Sequence, residues 1–224
     1  MQEKLMKKGE WVKPSMTVTE WMTAVNTGYR REYLNAKNCA EDHAVWKGIK
    51  DPHGSIAGTI KSCLAELSGC KFADVYPDLQ NKKKLPYDLI IGGWGSEKDL
   101  TVDIKTPDKK ESDWVCVAEK YEHKKCDLYL FIYSETPPLV FDQDKKWKYL
   151  GVNPRTGEDI RIPILKIGPS IRRFKDHIHG CRCIGWQRGD YIFRPENKRR
   201  PDWSESGFFI RRDELLDNLE DCLD

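Results

Sequence analysis

Two aspartates and a lysine within residues 88–105 have the types and spacing of a metal-assisted hydrolytic site. Asp88 opens the apolar run DLII, and Asp103 and Lys105 lie two residues apart in the run LTVDIK, with the turn-forming GGWGS between them. Carboxylate oxygens are the ligands that Mg²⁺ prefers, and the ion seldom takes more than one or two of them from a protein. A lysine beside them supplies a fixed positive charge for negative charge that grows during hydrolysis.

The spacing of these runs predicts how the two aspartates face each other. In an antiparallel hairpin centred between Gly95 and Ser96, residues whose numbers add to 191 are opposed, which pairs Asp88 with Asp103. Opposed residues have Cβ atoms about 4.5–5.5 Å apart. Side chains alternate along a strand, so Lys105 shares the face of Asp103. Because two opposed carboxylates repel, the pairing is favourable only with a cation between them, and we expect Mg²⁺ there, with Mn²⁺ as an alternative.

A third acid, Glu66, belongs to the element that precedes this hairpin. Apolar residues at helical spacing predict a helix over 55–67 that stops at Gly69, after a loop over 51–54. Glu66 lies off the apolar stripe and in the predicted last turn, where the helix dipole disfavours an exposed negative charge by about 0.3–1 kcal/mol. A nearby metal or lysine would offset that cost, whereas by itself Glu66 is an ordinary surface glutamate.

Together these pieces resemble the PD-(D/E)xK nuclease superfamily, also called restriction-endonuclease-like. Its pattern is a helix with a glutamate, a hairpin with Asp on one strand and Asp/Glu-x-Lys on the next, then a helix and a further core strand. The matching pieces are Ala65-Glu66-Leu67, Pro86-Tyr87-Asp88, Val102-Asp103-Ile104-Lys105 and the strand-like DLYLFIY at 127–133. Tyr87 separates the proline from the aspartate, which departs from the pattern at a position that is not catalytic. The resemblance covers about residues 55–133.

The resemblance implies a role for each residue. Asp88, Asp103 and the Ile104 carbonyl would bind Mg²⁺, with Glu66 binding directly or through water. Lys105 would orient or help to deprotonate the attacking water and stabilise the pentavalent phosphate. We therefore expect a Mg²⁺-dependent deoxyribonuclease that hydrolyses phosphodiester bonds, and an endonuclease because the chain shows no helicase or clamp-like region.

The remaining elements indicate one α/β domain with a mixed central sheet flanked by helices. Residues 1–54 are expected as an N-terminal helical segment, 55–135 as the nuclease core, and 136–224 as a strand-rich basic extension packed on the same domain. Within the extension we predict a hairpin from 146–152 and 159–164, a basic helix or loop over 169–179, strands over 184–193 and 207–210, and a C-terminal amphipathic helix over 213–223.

Composition narrows the function classes. The 224 residues are 39% hydrophobic and 33% charged, with a formal net charge of +2, which argues against a disordered polyelectrolyte. Apolar runs are too short for a membrane helix, and the N-terminus lacks the apolar region of a secretory signal. We expect a soluble cytoplasmic protein that does not enter a membrane.

Charge is concentrated late in the chain. Residues 161–200 contain eleven Lys and Arg against three acids, a net +8, and residues 201–224 carry a net −6. Such a basic stretch attracts phosphate backbones, although a solvated surface neutralised by the acidic tail explains it equally well. The predicted DNA contacts are Arg172, Arg173, Lys175, Arg182, Arg188, Lys198, Arg199 and Arg200. Cutting both strands at one place needs two active sites, which predicts a homodimer or higher homo-oligomer.

The eight cysteines suggest no disulfide framework in a reducing compartment. Cys39, Cys63, Cys70, Cys116, Cys126 and Cys222 are expected as small buried side chains. His177, His179, Cys181 and Cys183 are metal-ligand types, but along a strand they would spread over about 20 Å, too far for one tetrahedral zinc ion. An iron–sulfur cluster held by Cys39, Cys181, Cys183 and Cys222 is a weaker alternative, because the spacing does not fit.

Two readings compete with the nuclease. A non-catalytic nucleic-acid-binding protein could keep the same fold, but it would have no reason to retain three acids and a lysine at the site positions. A metal-independent structural protein with a chance D-x-K would be favoured if Asp88 and Asp103 did not share a face.

Overall fold

The structure, a computed structural model, describes residues 6–12, 16–41, 46–75, 87–92, 99–107, 109–135, 139–142, 147–175, 180–201 and 206–223. Its helices are α1 (Val18–Glu41), α2 (Pro52–Ala73), α3 (Ile167–Lys175) and α4 (Gly189–Ile192). Its strands are β1 (Leu89–Ile91), β2 (Leu100–Lys105), β3 (Trp114–Ala118), β4 (Leu128–Ser134), β5 (Trp147–Val152), β6 (Asp159–Pro163), β7 (Cys181–Arg188), β8 (Lys198–Arg199) and β9 (Gly207–Arg211). Within the described residues, no helix combines the length and the apolar character needed to cross a membrane.

The chain groups into two compact units. The first unit contains Met1–Ser15, Ala65–Ser134 and Gly180–Asp224, and the second contains Met16–Leu64 and Glu135–His179. Helix α2 begins in the second unit and ends in the first. The units therefore interleave along the chain, whereas the sequence analysis divided it into consecutive segments. The mixed α/β class with a mixed sheet is confirmed.

The first unit is built on two sheets. Its four-stranded sheet has the order β1-β2-β4-β7, with β2 and β4 parallel and the outer pairs antiparallel. Its three-stranded sheet has the antiparallel order β3-β9-β8. Tyr129 and Phe131 of β4 share one buried cluster with Val117 of β3 and Phe208 of β9. The core of this unit therefore lies between the two sheets.

The other face of the four-stranded sheet packs on the C-terminal part of α2. A Cβ atom at Gly69 would lie 2.5 Å from Cδ1 of Ile104 on β2. Gly69 therefore lets the helix lie close to the strand that carries Asp103 and Lys105. The prediction that the helix stops at Gly69 is wrong, because α2 continues to Ala73.

The second unit is an assembly of α1, the N-terminal part of α2, α3 and the β5–β6 hairpin. Helices α1 and α2 meet at Gly28, where a Cβ atom would lie 2.8 Å from Cα of Ile60. Beside this contact the carboxylate of Glu32, only 5% exposed, accepts hydrogen bonds from Trp46, Ser55 and Thr59. The buried acid therefore has hydrogen bonds from three neutral side chains.

The start of α2 corrects one prediction. Residues 51–54 do not form a loop, because Asp51 Oδ1 accepts the Gly54 N–H at 3.0 Å and Pro52 is the first helical residue. An aspartate N-cap followed by proline is a helix start signal.

The C-terminal segment corrects a second prediction, that of a helix over residues 213–223. Residues 213–223 do not form an amphipathic helix but contain 3₁₀ turns at Arg212–Glu214 and Glu220–Cys222. Between them Leu216 exchanges two backbone hydrogen bonds with Trp186 of β7, at 2.8 and 3.0 Å. Strand β7 ends at Arg188, and the predicted strand over 184–193 therefore passes into α4 at Gly189.

Candidate active site

Strands β1 and β2 pair in the register that the sequence predicts. Leu89 faces Val102 and Ile90 faces Thr101, and the Asp88 N–H donates to the Val102 carbonyl at 2.9 Å. Asp88 thus lies level with Asp103 at the start of β1. The residues at the centre of the predicted turn, Gly95 and Ser96, lie outside the described part of the chain.

A backbone hydrogen bond fixes the carboxylate of Asp88. Its Oδ2 accepts the N–H of Ile104 at 2.7 Å, so the side chain reaches across to the neighbouring strand. No hydrogen bond within the described residues uses Oδ1 of Asp88. One carboxylate oxygen therefore anchors the group to the neighbouring strand.

Asp103 and Lys105 form a close ion pair on one face of β2. Lys105 Nζ lies 2.6 Å from Oδ2 of Asp103, and their side chains are 20% and 10% exposed. The ammonium group also lies 4.0 Å from the centroid of the Tyr121 ring, in the 3₁₀ turn Glu119–Lys124. Attraction to the carboxylate and to the ring face holds the ammonium in one place.

The beginning of β2 is tied to the beginning of β4. Asp127 Oδ2 accepts the N–H and the hydroxyl of Thr101 at 2.8 and 2.7 Å, and the Asp127 N–H donates back to the hydroxyl at 3.0 Å. This reciprocal contact sets the parallel register in which Asp103 faces Tyr129 and Lys105 faces Phe131. The acid–lysine pair is thereby positioned over the aromatic core.

Burial and neighbouring charges shift the pKa values of Asp88 and Lys105. Burial, followed by the negative charges of Glu66 and Asp103, raises the pKa of Asp88 well above its usual value. The hydrogen bond from the Ile104 N–H and the charge of Lys105 lower this pKa, but by less. Burial alone would lower the pKa of Lys105, but Asp103 outweighs it and the pKa is raised. Lys105 is therefore protonated at neutral pH.

Glu66 is half-buried in α2 and close enough to Asp88 to raise its pKa. Because α2 runs on to Ala73, Glu66 is not in the last turn, and the predicted dipole cost does not apply. Among the described residues no three His, Cys, Asp or Glu side chains come close enough to hold one metal ion. Glu66 therefore does not join both aspartates in one direct ligand set.

Two thiols border the carboxylates. Burial, then Asp88 and then Glu66 raise the pKa of Cys70 to about 12. Burial, then Asp103 and then Asp88 raise the pKa of Cys126 to about 12. Both groups are neutral thiols at physiological pH, so they add no charge to the cluster.

The other cysteines are placed largely as expected. All eight are unbridged and seven are buried, including Cys181 and Cys183 on β7. Cys116 is exposed, which contradicts the prediction for this residue. Val115 and Val117 point into the core of the first unit, so strand alternation turns Cys116 outward. His177 and His179 lie outside the described residues.

The predicted DNA-contact residues are distributed over both units. Arg172 and Arg173 are exposed on α3 in the second unit, where Lys175 is described only in its backbone. In the first unit Arg182 donates to the Gly9 carbonyl, and Arg188 pairs with Asp190. Lys198 pairs with Glu119 and Glu122, Arg199 lies 4.6 Å from the Trp114 ring, and Arg200 is exposed.

The contact between Tyr121 and Lys105 was not predicted from the sequence. The structure places Tyr121 in the 3₁₀ turn that follows β3, where the resemblance implies a helix. No periodicity distinguishes Tyr121 from the neighbouring polar residues, so the sequence held no signal for its contact with Lys105.

Comparison of the chain with protein-family models, with curated proteins and with solved structures found no match.

Proposed function

We propose that this protein is a Mg²⁺-dependent nuclease that hydrolyses DNA phosphodiester bonds as an endonuclease, on a restriction-endonuclease-like core. One observation carries the proposal. Asp88 lies level with Asp103 on paired strands, and Asp103 is ion-paired with Lys105 at 2.6 Å. Two buried acids that repel each other are not explained by a contribution to fold stability. With an adjacent lysine, they are the groups that hydrolytic chemistry needs.

The order of elements supports the core assignment. Helix α2 carries Glu66, the antiparallel β1–β2 pair carries the other site residues, and β4 adds in parallel to β2. This follows the helix, hairpin and core strand of the PD-(D/E)xK pattern. One departure is that strand β3 and a 3₁₀ turn stand where the pattern has a helix.

The charge of the cluster supports a divalent cation. Glu66 and Asp103 repel the charge on Asp88, and Lys105 pairs with Asp103. A divalent ion would offset that repulsion, and Mg²⁺ needs only one or two protein carboxylates beside water. Asp88, Asp103 and the Ile104 carbonyl would hold the ion, Mg²⁺ or Mn²⁺, with Glu66 acting through water. When bound, such an ion lowers the pKa of a water molecule and offsets charge on the phosphate.

The protein's own groups would then do the following. Lys105, held protonated by Asp103, is an electrostatic stabiliser of negative charge on the phosphate rather than a base in this conformation. The Ile104 N–H fixes the carboxylate of Asp88, which would contribute an oxygen to the ion. The face of the Tyr121 ring holds the ammonium in place. Exposed cations such as Arg172, Arg173 and Arg200 would supply DNA affinity, and a homodimer would provide the second site for a double-strand cut.

The test is cleavage of supercoiled and linear DNA by the purified protein with Mg²⁺, with Mn²⁺ and with EDTA. We expect nicking and linearisation with either ion and none with EDTA. Lys105→Ala should lower the cleavage rate roughly 10²–10³-fold, as for loss of one transition-state donor.

Lys37→Ala is the matched control, because Lys37 is an exposed lysine paired with Glu41 on α1. It should cleave like the wild type. Cleavage that persists in EDTA or in Lys105→Ala would overturn the mechanism, and DNA binding without cleavage would favour a non-catalytic binding protein.

A further inference from the structure

The β5–β6 hairpin of the second unit has one face in the core and one in solvent. Ile160 and Ile162 are fully buried, and Ile160 packs with Ala36 and Cys39 of α1. The opposite face carries Trp147, Tyr149 and Val152, which are 36%, 55% and 43% exposed. A contiguous exposed apolar patch is typical of a binding surface.

A cation lies among these exposed rings. Arg161 is the cross-strand partner of Tyr149, and its guanidinium carbon is 6.0 Å from the centroid of the tyrosine ring. Asp159, on the same strand, pairs with Arg161 at 2.7 Å. The pair is half-exposed, so it holds the guanidinium beside the ring without burying it.

The rings extend into a row. Trp147 packs edge-on against His53 with centroids 5.3 Å apart, and His53 packs edge-on against Phe141 at 4.5 Å. Tyr149 follows Trp147 by two residues on the same face of β5. We call Phe141, His53, Trp147 and Tyr149 the aromatic row.

The hairpin and the helix that follows it are rich in cations. Residues 147–175 contain seven Lys and Arg and two acids, Glu158 and Asp159, a net +5, and Lys166 is ion-paired with Asp142 just before this range. Arg172 and Arg173 on α3 are exposed. Exposed rings with surrounding cations are the combination that binds unpaired nucleotides, since bases stack on the rings and phosphates meet the cations. In a duplex the bases are stacked on each other and cannot use the rings.

We propose that the aromatic row and Arg161 form a binding site for single-stranded DNA. The site is independent of Asp88, Asp103 and Lys105. Only the further statement that the bound strand belongs to the substrate of cleavage, as an unpaired end, flap or bubble, rests on the proposed function.

The experiment measures binding of a fluorescent oligo(dT) and of a matched duplex by anisotropy, in EDTA and in the Lys105→Ala background. Cleavage then plays no part, so a failure of the nuclease assignment leaves this result unaffected. Tyr149→Leu and Trp147→Leu should each weaken oligo(dT) binding about 5- to 150-fold, the loss of one base–ring stack. Duplex binding should change less than threefold. Tyr149→Phe, which keeps the ring, should bind like the parent.

Leu34→Ala is the control, because Leu34 is 44% exposed on α1 and is not part of the row. It should leave oligo(dT) binding unchanged. Equal binding by the parent, Tyr149→Leu and Trp147→Leu would overturn the proposal. So would sedimentation showing that the parent self-associates through this face and that either substitution yields a monomer with unchanged affinity for oligo(dT).

Discussion

The ammonium group of Lys105 lies 4.0 Å from the centroid of the Tyr121 ring, while its nitrogen is 2.6 Å from Oδ2 of Asp103. The lysine is thus held by a carboxylate and by an aromatic face that belong to different elements. Most of its side chain is buried, which strengthens both attractions.

Removing the Tyr121 ring should therefore impair cleavage. A cation–π contact of this kind contributes about 1–2 kcal/mol. We expect Tyr121→Leu to lower the rate at saturating DNA by roughly 5- to 30-fold, with DNA affinity unchanged, and Tyr121→Phe to retain the rate. Tyr191→Leu is the control, since Tyr191 packs on the same core but contacts Arg194. Equal rates for Tyr121→Leu and Tyr121→Phe would show that the ring does not act on Lys105.

Asp88 should limit the stability of the metal-free protein at neutral pH. The pKa of its carboxyl is raised by burial and by neighbouring acids, so the folded chain binds this proton more tightly than the unfolded chain does. The stability that the group contributes is complete below the unfolded pKa near 3.8 and is lost as pH rises through the folded pKa.

Asp88→Asn removes that loss and keeps an oxygen to accept the Ile104 N–H. In EDTA at pH 7 we expect a higher free energy of unfolding than in the wild type, by about 1.4 kcal/mol for each unit of pKa elevation. The difference should shrink as pH falls toward 4. Urea titrations at several pH values measure it, and the same variant should cleave no DNA. A variant less stable than the wild type at pH 7 would contradict the prediction.

Mg²⁺ should stabilise the wild-type fold. An ion that binds only the folded chain adds about 2.7 kcal/mol at a hundredfold excess over its dissociation constant. For a chain of this size that is a rise in melting temperature of about 5–10 °C. Thermal unfolding with increasing MgCl₂ gives the measurement. Asp88→Asn should lose the response, whereas Asp217→Asn, at an exposed acid paired with Lys8, should retain it. A response that survives in Asp88→Asn would place the ion elsewhere.

Two helical glycines should respond oppositely to alanine. At Gly58 of α2 a Cβ atom would have no neighbour within 4 Å, so Gly58→Ala should stabilise the protein by about 0.5–1 kcal/mol through helix propensity. At Gly28 of α1 the same atom would meet the backbone of Ile60 at 2.8 Å. Gly28→Ala should destabilise by about 1–3 kcal/mol, because the helices must separate. Chemical denaturation of both variants checks the pair, and stabilisation by Gly28→Ala would contradict this close helix contact.

The sequence by itself determined the local part of the site. Strand alternation and turn position were enough to set Asp88 level with Asp103 and to place Lys105 on the same face, because the pattern of the two strands and the length of the turn between them set the register of a hairpin. The same local signals gave β4 and the β5–β6 hairpin.

Only the tertiary structure decided what surrounds those residues. Tyr121 meets Lys105, Leu216 pairs with Trp186 in place of a C-terminal helix, and α2 runs past Gly69 to lie on Ile104. These contacts join elements distant in sequence, and their energy comes from packing and backbone pairing that no local periodicity records. Because α2 extends to Ala73, Glu66 does not lie at the end of the helix. The position of Glu66 near Asp88 therefore depends on how α2 packs on the sheet.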